Sequence, residues 1–403
     1  LPDDREGPLD LTRRRVLAAL AGAGGLALTG ASDAPPDPTS VPGAPPSEHG
    51  RRSPFAPIAR QAAFGVISGT PLQDLHGTIT PSDLHFERHH AGIPTIDPAQ
   101  HELLIHGMVE RPLRFSMQDL LRFPSVSRIA FLECSGNLRV DAGEETTPQF
   151  LCGLTSQSEW TGVSLATLLR EAGVKPGAKW LLAEGSDAAV MTRSIPIEKA
   201  MDDAIVAYAQ NGEALRPAQG FPVRLFNPGW EGNTSVKWLR RIEVSDRPFM
   251  TREETSKYTE PIRGGKARQF SFTMDARSII TTPSWPAQLD KGWHELRGLA
   301  WSGRGRITRV DVSQDGGKRW EPARLVGSVL PKAHTRFALP FRFDGAPMEL
   351  ASRAIDETGY VQPTRKQLLD ARGAGSGMYH LNPITSWLVE RDGRVLYKAE
   401  PWG

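Results

Sequence analysis

Cysteine is scarce in this 403-residue chain: Cys134 and Cys152 are the only two. A disulfide-built scaffold is therefore excluded, although a single bridge is not. Neither cysteine has a second one two to four residues away, so the spacing of a thiolate-rich zinc site is missing. Cys-x-x-Cys-His is also absent, and the chain cannot attach a c-type haem by itself. Excess charge is lacking too: Lys+Arg is 48 and Asp+Glu is 46, a net charge of +2. That balance argues against a protein that works by neutralising nucleic-acid phosphates. The apolar run Val16 to Leu28 is thirteen residues, short of the ~20 that a membrane span needs. Internal repeats and heptads are missing. What is present is a normal core fraction, 39% hydrophobic and 23% charged, which rules out wholesale disorder. The 39 Gly and 33 Pro favour turns and short strands, and the length fits two or three domains of ~100–200 residues.

The amino terminus reads as an address. Thr12-Arg13-Arg14-Arg15-Val16-Leu17, followed by the short Ala/Gly-rich apolar run, resembles a twin-arginine export signal, here assigned to residues 1–34. The competing reading is the basic start of a buried helix. That route carries folded cargo, which suits a periplasmic redox enzyme loaded with cofactor beforehand. Residues 35–70 read as a Pro-rich tether, with prolines at 35, 36, 38, 42, 45, 46, 54 and 57.

Two sequence styles follow. From 71 to 264, short apolar strands alternate with short helices, an α+β pattern. Arg128 to Leu132 and Phe221 to Phe226 read as strands. Val163 to Leu169 has helical spacing, with Gly173 as its stop. From 265 to 403 the pattern changes to strands and turns, with Ile307 to Val312, then Asp315-Gly316-Gly317 and Trp320, and predicts a β-sandwich. The boundary is expected in the polar stretch Thr251 to Gly265.

Glu133-Cys134-Ser135-Gly136-Asn137 places a cysteine in a small-residue loop just after a strand. Such a loop presents a thiolate into a cleft with backbone N–H groups facing the same space. A buried structural cysteine fits the same pattern. A cysteine–histidine hydrolase has ten histidines to draw on but no local motif. His85, His89 and His90 form a His-x-x-x-His-His run with no accompanying carboxylate pattern.

Cys134-Ser135-Gly136-Asn137 with Arg139 resembles the Cys-Ala-Gly-Asn segment of the sulfite oxidase family of molybdenum enzymes. Further segments are similar in the same order: Arg88-His89-His90 with Ile93-Pro94, Ser194-Ile195-Pro196 with Ala200-Met201, Gly220-Phe221-Pro222-Val223-Arg224, Pro228-Gly229, and Val236-Lys237-Trp238. Asp315-Gly316-Gly317 and Arg353-Ala354-Ile355-Asp356 resemble the family's immunoglobulin-like dimerisation domain. The resemblance covers roughly residues 75–400. It implies a molybdopterin-binding domain followed by an immunoglobulin-like β-sandwich dimerisation domain, and a cofactor of molybdenum with a single molybdopterin.

The resemblance also implies roles. Cys134 is expected as the metal ligand, a soft donor to an electron-poor metal. Arg88 and Arg139 are expected to hold an anionic sulfur substrate. Arg224 and Lys237 are expected at the cofactor's phosphate, with Gly232, Asn233 and Ser235 near by. His89, His90, Ser135, Gly136, Asn137 and Ser194 complete the expected cofactor set. Two departures stand out. The family's Tyr-Gly-x-Ser-Ile-Pro loop appears as Met191-Thr192-Arg193-Ser194-Ile195-Pro196, which implies a site without its tyrosine. Gln219 stands where a pterin-contacting histidine often precedes Gly-Phe-Pro. Together with the export signal and the missing haem, these features resemble the family's sulfane dehydrogenase branch, from bacterial thiosulfate oxidation. That branch implies oxidation of carrier-protein-bound sulfane sulfur to sulfonate, a c-type cytochrome subunit as electron acceptor, a homodimer of this chain within a heterotetramer, and no haem on this chain. The alternative is a sulfite:cytochrome c oxidoreductase acting on free sulfite. A non-enzymatic scaffold is the more distant third reading.

Overall fold

The computed structural model describes residues 45–63, 65–373 and 379–399. The expected export signal and the first part of the tether lie outside the described residues. The chain divides into two compact units, Leu1–Pro57 and Ile58–Gly403, and the account below concerns the second.

Two five-stranded sheets form its first half. One orders strands Glu213–Ala214, Ile205–Gln210, Thr155–Ser164 and Ser125–Glu133, with Arg224–Phe226 also paired to Ile205–Gln210. The other orders Leu113–Ser116, Glu102–Gly107, Leu239–Ser245, Trp180–Gly185 and Thr192–Pro196. Here Leu239–Ser245 pairs parallel to Glu102–Gly107 and antiparallel to Trp180–Gly185. Their shared core includes Leu103, Ile105, Val206, Leu225 and Ile242, with Leu168 and Leu169 from the helix Leu165–Ala172. That helix buries Leu165, Leu168, Leu169 and Ala172, the i, i+3, i+4, i+7 stripe of an amphipathic segment. It begins two residues later than its spacing predicts, because Val163 and Ser164 still belong to the preceding strand. Gly173 ends it at φ 73°, a left-handed cap that costs glycine no Cβ clash.

The strand expected over Phe221–Phe226 shrinks to Arg224–Phe226. Pro222 has no N–H to give a ladder, and the chain enters from a 3₁₀ turn over Pro217–Gln219. Gly220 leaves that turn at φ 108°, where a Cβ would lie 3.1 Å from the Cβ atoms of both Arg224 and Lys237.

The second half is the expected sandwich. A four-stranded sheet (Arg277–Thr282, Gly292–Trp301, Thr335–Phe343, Arg324–Val326) faces a five-stranded one built on Ile307–Ser313, Met348–Asp356 and Ser386–Val389. Ile280, Leu296, Val310, Phe337, Leu350 and Trp387 fill the space between them. Each such side chain contributes about 1.5–3 kcal/mol by leaving water. The boundary expected at 264/265 falls inside a hairpin, Glu260–Ile262 with Lys266–Arg268. A further core joins the halves, where Phe131, Leu138, Leu151 and Cys152 meet Met274, Ile279, Leu299 and Trp301.

Strand Ser125–Glu133 positions the site. Its first four residues are exposed and its last four buried, so it dives from the surface and delivers Glu133 and Cys134 to the interior.

Candidate active site

Cys134 opens onto a cleft of about 650 Å³. Five segments supply its walls. Strand Glu87–Arg88 and the residues after it bring Arg88, His89 and His90; the turn 217–224 brings Gln219 and Arg224; the segment 232–238 brings Gly232, Asn233, Ser235 and Lys237. Asp187 and Met191 come from the connection before Thr192–Pro196, and Tyr258 from the segment just after the π-helical turn Glu253–Lys257.

Two cations dominate the cleft, Arg224 buried and Lys237 half-buried. Arg224 is 1% exposed and spends its N–H groups on the carbonyls of Leu225, Gln219 and Ser235 while lying over the Trp160 ring. Lys237 donates to the carbonyls of Arg88 and Ala218 and lies 2.7 Å from His89 Nδ1. Among the described residues neither forms an ion pair. Burial pulls the Arg224 guanidinium down to about 9 and holds the Lys237 ammonium well below its usual range. Two cations without an ion-pair partner, one of them buried, beside an open cleft call for an anion.

Other wall groups leave room and polar capacity for such a ligand. Gly232 packs so closely on strand Ser125–Glu133 that a Cβ would lie 2.8 Å from the Glu133 carbonyl. Asn233 Oδ1 is buried without a hydrogen-bond partner. His89 is held at both ring nitrogens, by Lys237 and by Glu87 at 3.0 Å, and the Glu87 carboxyl sits at about 2, chiefly because of that bond to His89. Burial raises the Cys134 thiol, against the Gly136 backbone N–H and the Arg88 charge, which favour the thiolate. A thiolate donor, a cationic cradle and close backbone approach fit a phosphate-bearing cofactor whose metal takes one sulfur from the protein.

Tyr258 was not foreseen. Its hydroxyl lies 2.9 Å from His90 Nε2, its ring carries the Arg193 guanidinium at 4.9 Å, and burial pushes its phenol pKa up. The expectation of a site without a tyrosine is thus corrected: a different segment supplies the phenol. Met191 does line the cleft, but as an apolar neighbour. Arg193 does not enter it. Fully buried, it bonds Glu231 at 3.0 Å and Glu254 at 2.9 Å, whose charges outweigh burial and raise its pKa.

Other expected residues lie elsewhere. Arg139 lines a neighbouring, largely apolar cavity, paired with Asp141 at 2.9 Å and lying over the Phe150 ring at 4.7 Å. Gly136 and Asn137 line that same cavity. The Asn137 side chain bonds Glu133 and the Leu154 N–H, which is a structural role. Ser135 Oγ accepts from Asn233 Nδ2 at 3.2 Å. Ser194 is buried, its hydroxyl exchanging hydrogen bonds with the Phe249 backbone at 2.9 Å. His85 is buried against Phe86 and Trp160, and among the described residues no cluster of three or more His, Cys, Asp or Glu is arranged to hold a metal. One signal for Tyr258 existed: with only five tyrosines in the chain, each could have been weighed.

Residues 90–253 match the model of an oxidoreductase molybdopterin-binding domain, and residues 268–386 that of a Mo-co oxidoreductase dimerisation domain. The sulfite oxidase of Gallus gallus is 33% identical over 334 residues, covering 75% of this chain and 72% of that protein. The chain belongs to the sulfite oxidase family. Among solved structures, the sulfane dehydrogenase SoxCD from Paracoccus pantotrophus aligns with a TM-score of 0.82 at 46% identity, over 90% of this chain and 99% of that one. An NADH nitrate reductase of Ulva prolifera is 31% identical, but the chain spans only 38% of its length. The family and its two-part fold, as read from the sequence, are borne out.

Proposed function

We propose that this chain is the molybdenum subunit of a periplasmic enzyme that oxidises sulfane sulfur on a carrier protein to a sulfonate and passes the electrons to a c-type cytochrome. The observation that carries the reading is the 46% identity, across 99% of a sulfane dehydrogenase chain, against 33% to the sulfite oxidase. Cys134 would ligate the metal, Arg224 and Lys237 would neutralise the cofactor's phosphate, and His89, His90, Gly232, Asn233 and Ser235 would line the pterin. The bound group supplies two-electron redox chemistry, each step adding one water-derived oxygen to sulfur and releasing two protons.

The chain's own residues do the rest. Arg88 offers a cation to an anionic sulfur group beside Cys134. The Tyr258 hydroxyl and His90 form a paired donor and acceptor through which a proton can pass at the same wall. Met191 adds an apolar side chain to the lining.

Molybdenum analysis of purified protein, then a panel of carrier-borne persulfide, carrier-borne thiosulfonate and free sulfite, tests the reading. Turnover should require an added cytochrome or artificial acceptor; sustained oxidation with dioxygen alone at a comparable rate would exclude a cytochrome partner. Export is tested by replacing Arg13 and Arg14 with lysine, which should hold cofactor-loaded precursor in the cytoplasm. The dimerisation match supports a homodimer, placed here within a heterotetramer with the cytochrome. Among the described residues no helix is long and apolar enough to cross a membrane.

Oxidation of free sulfite is the second reading. The phenol of Tyr258 inside the cleft favours it, because a small oxyanion finds there a donor beside Arg88.

A further inference from the structure

We infer that Arg277 and Trp301, both from the C-terminal sandwich, are positioning residues for the Cys134 sulfur and act on it through Glu133. The inference rests on the reading of Cys134 as the metal ligand.

Glu133 ends the strand that delivers Cys134, and it is 1% exposed. A carboxylate in that position is costly unless its oxygens are satisfied. Trp301 Nε1 donates to one oxygen at 2.6 Å. Arg277 Nη1 at 3.2 Å and Asn137 Nδ2 at 2.9 Å donate to the other. Arg277 and Trp301 are themselves register partners across two antiparallel strands, so the two donors form one rigid edge of the sandwich.

The same edge reaches the far end of the cysteine loop. Arg277 also donates to the Asn137 carbonyl and to Cys152 Sγ, and the Asn137 side chain accepts the Leu154 N–H at 2.9 Å. Residues 133 and 137 are thus both tied to the second half of the chain, with Cys134 between them and its own N–H on the Leu154 carbonyl at 3.0 Å. A loop clamped at both ends leaves the sulfur little freedom, which is the preorganisation a metal ligand needs. The Arg277 cation also offsets the Glu133 charge, which would otherwise act on the adjacent sulfur at close range. The sandwich therefore has a task in the site beyond its match to a dimerisation domain.

Trp301→Phe keeps the ring and removes one N–H. In the full-length, molybdenum-loaded protein it should speed metal loss to a chelator roughly tenfold, the usual size of an outer-partner effect. It should also shift the thiolate-to-metal charge-transfer absorption. Trp387→Phe is the control: Trp387 is equally buried in the sandwich and donates to the Ile280 carbonyl at 3.1 Å, remote from Cys134. It should lower the melting temperature comparably and leave metal release and absorption unchanged. Equal effects from the two variants, or none from Trp301→Phe, would overturn the inference. Should Trp301→Phe fail to fold, Glu133→Gln reads the same contact, and wild-type metal release in that variant is equally fatal. If Cys134→Ser holds molybdenum with an unaltered absorption, the ligand reading fails instead, a separate outcome.

Discussion

Tyr258 and His90, 168 residues apart in sequence, meet at 2.9 Å between the phenol oxygen and Nε2. Burial, reinforced by the Arg88 charge, lowers the His90 pKa to about 4, so at neutral pH the ring is uncharged. In the tautomer protonated at Nε2, the ring donates to the Tyr258 oxygen and leaves the phenol proton free for the cleft. The Arg193 guanidinium lies over that phenol ring at 4.9 Å and the Tyr379 ring packs at 5.4 Å. A polar pair is thereby fixed at one wall of the cleft that also holds Cys134.

Acid should destabilise the cofactor-free protein earlier than carboxylate titration alone predicts. Burial lowers His85 and His334 from 6.5 to about 3 each. Below pH 6.5 the unfolded chain binds protons that these folded rings refuse, so stability falls with pH. At about 1.36 kcal/mol per unit, each histidine costs roughly 2 kcal/mol between pH 6.5 and pH 5. His380 opposes the trend, since its pKa is raised against burial by the bond to Glu231. His90, lowered to about 4, and His101, also lowered by burial, act with His85 and His334, so the lowered rings outweigh it. Urea denaturation at pH 7, 6 and 5 should show decreasing stability, and a flat profile would contradict the buried neutral rings.

Anions should stabilise the cofactor-free protein through Arg224 and Lys237. A ligand at 100 times its dissociation constant adds about 2.7 kcal/mol. Inorganic phosphate or pyrophosphate should raise the melting temperature by several degrees more than chloride at equal ionic strength. Lys237→Met should abolish that difference and leave the purified protein poor in pterin. An equal phosphate effect in the variant would place the anion elsewhere.

Much of this was legible in the sequence, for physical reasons that differ from residue to residue. Short motifs mark places where backbone and ligand come close, so Cys134, Arg88, Arg224, Gly232 and Lys237 announced themselves and line one cleft. The helix after Ser164 and the sandwich strands followed from periodicity. Ser194 and Asn137 sit in equally motif-like segments, yet their side chains bond the Phe249 backbone, Glu133 and Leu154. A motif fixes a loop's shape without saying which of its side chains face the ligand. Arg139 shows the same: five residues past Cys134, it points into the next cavity. Tyr258 was hidden in a polar stretch read as a domain boundary, because its place depends on the turn over Glu253–Lys257 and on Arg193 pairing with Glu254 across the fold.

Cys134 and Cys152 should respond very differently to serine. Cys134→Ser should leave a folded protein whose activity drops by at least about a hundredfold, since an alkoxide is a poor substitute for a soft thiolate. Cys152 is buried, and its sulfur accepts from Arg277 Nη2 at 2.8 Å. A serine oxygen can take over that bond, so the cost should be about 1 kcal/mol of stability with metal content unchanged. Full turnover by the Cys134 variant would remove it from the metal.

Tyr258 should influence the choice between carrier-borne sulfur and free sulfite, because its phenol lines the cleft. A phenol whose oxygen accepts from His90 can donate its own proton to a small oxyanion, and a thioether cannot. Tyr258→Phe removes only the hydroxyl and leaves the ring against Arg193 and Tyr379. It should lower kcat/KM for sulfite by about 10²-fold, the lower range for loss of a positioned proton donor. A carrier-borne sulfur group brings binding energy from its peptide arm, so its KM should change little while kcat falls by a comparable factor. Met191→Tyr should have no such effect, because the phenol's place is already filled. Rates on both substrates with the same cytochrome acceptor separate the cases. If Tyr258→Phe raises KM for the carrier as strongly as for sulfite, the hydroxyl is a binding contact common to both, and specificity lies in other residues of the cleft. If wild-type protein oxidises sulfite efficiently and the carrier not at all, the second functional reading replaces the first, and Tyr258 then serves a free anion.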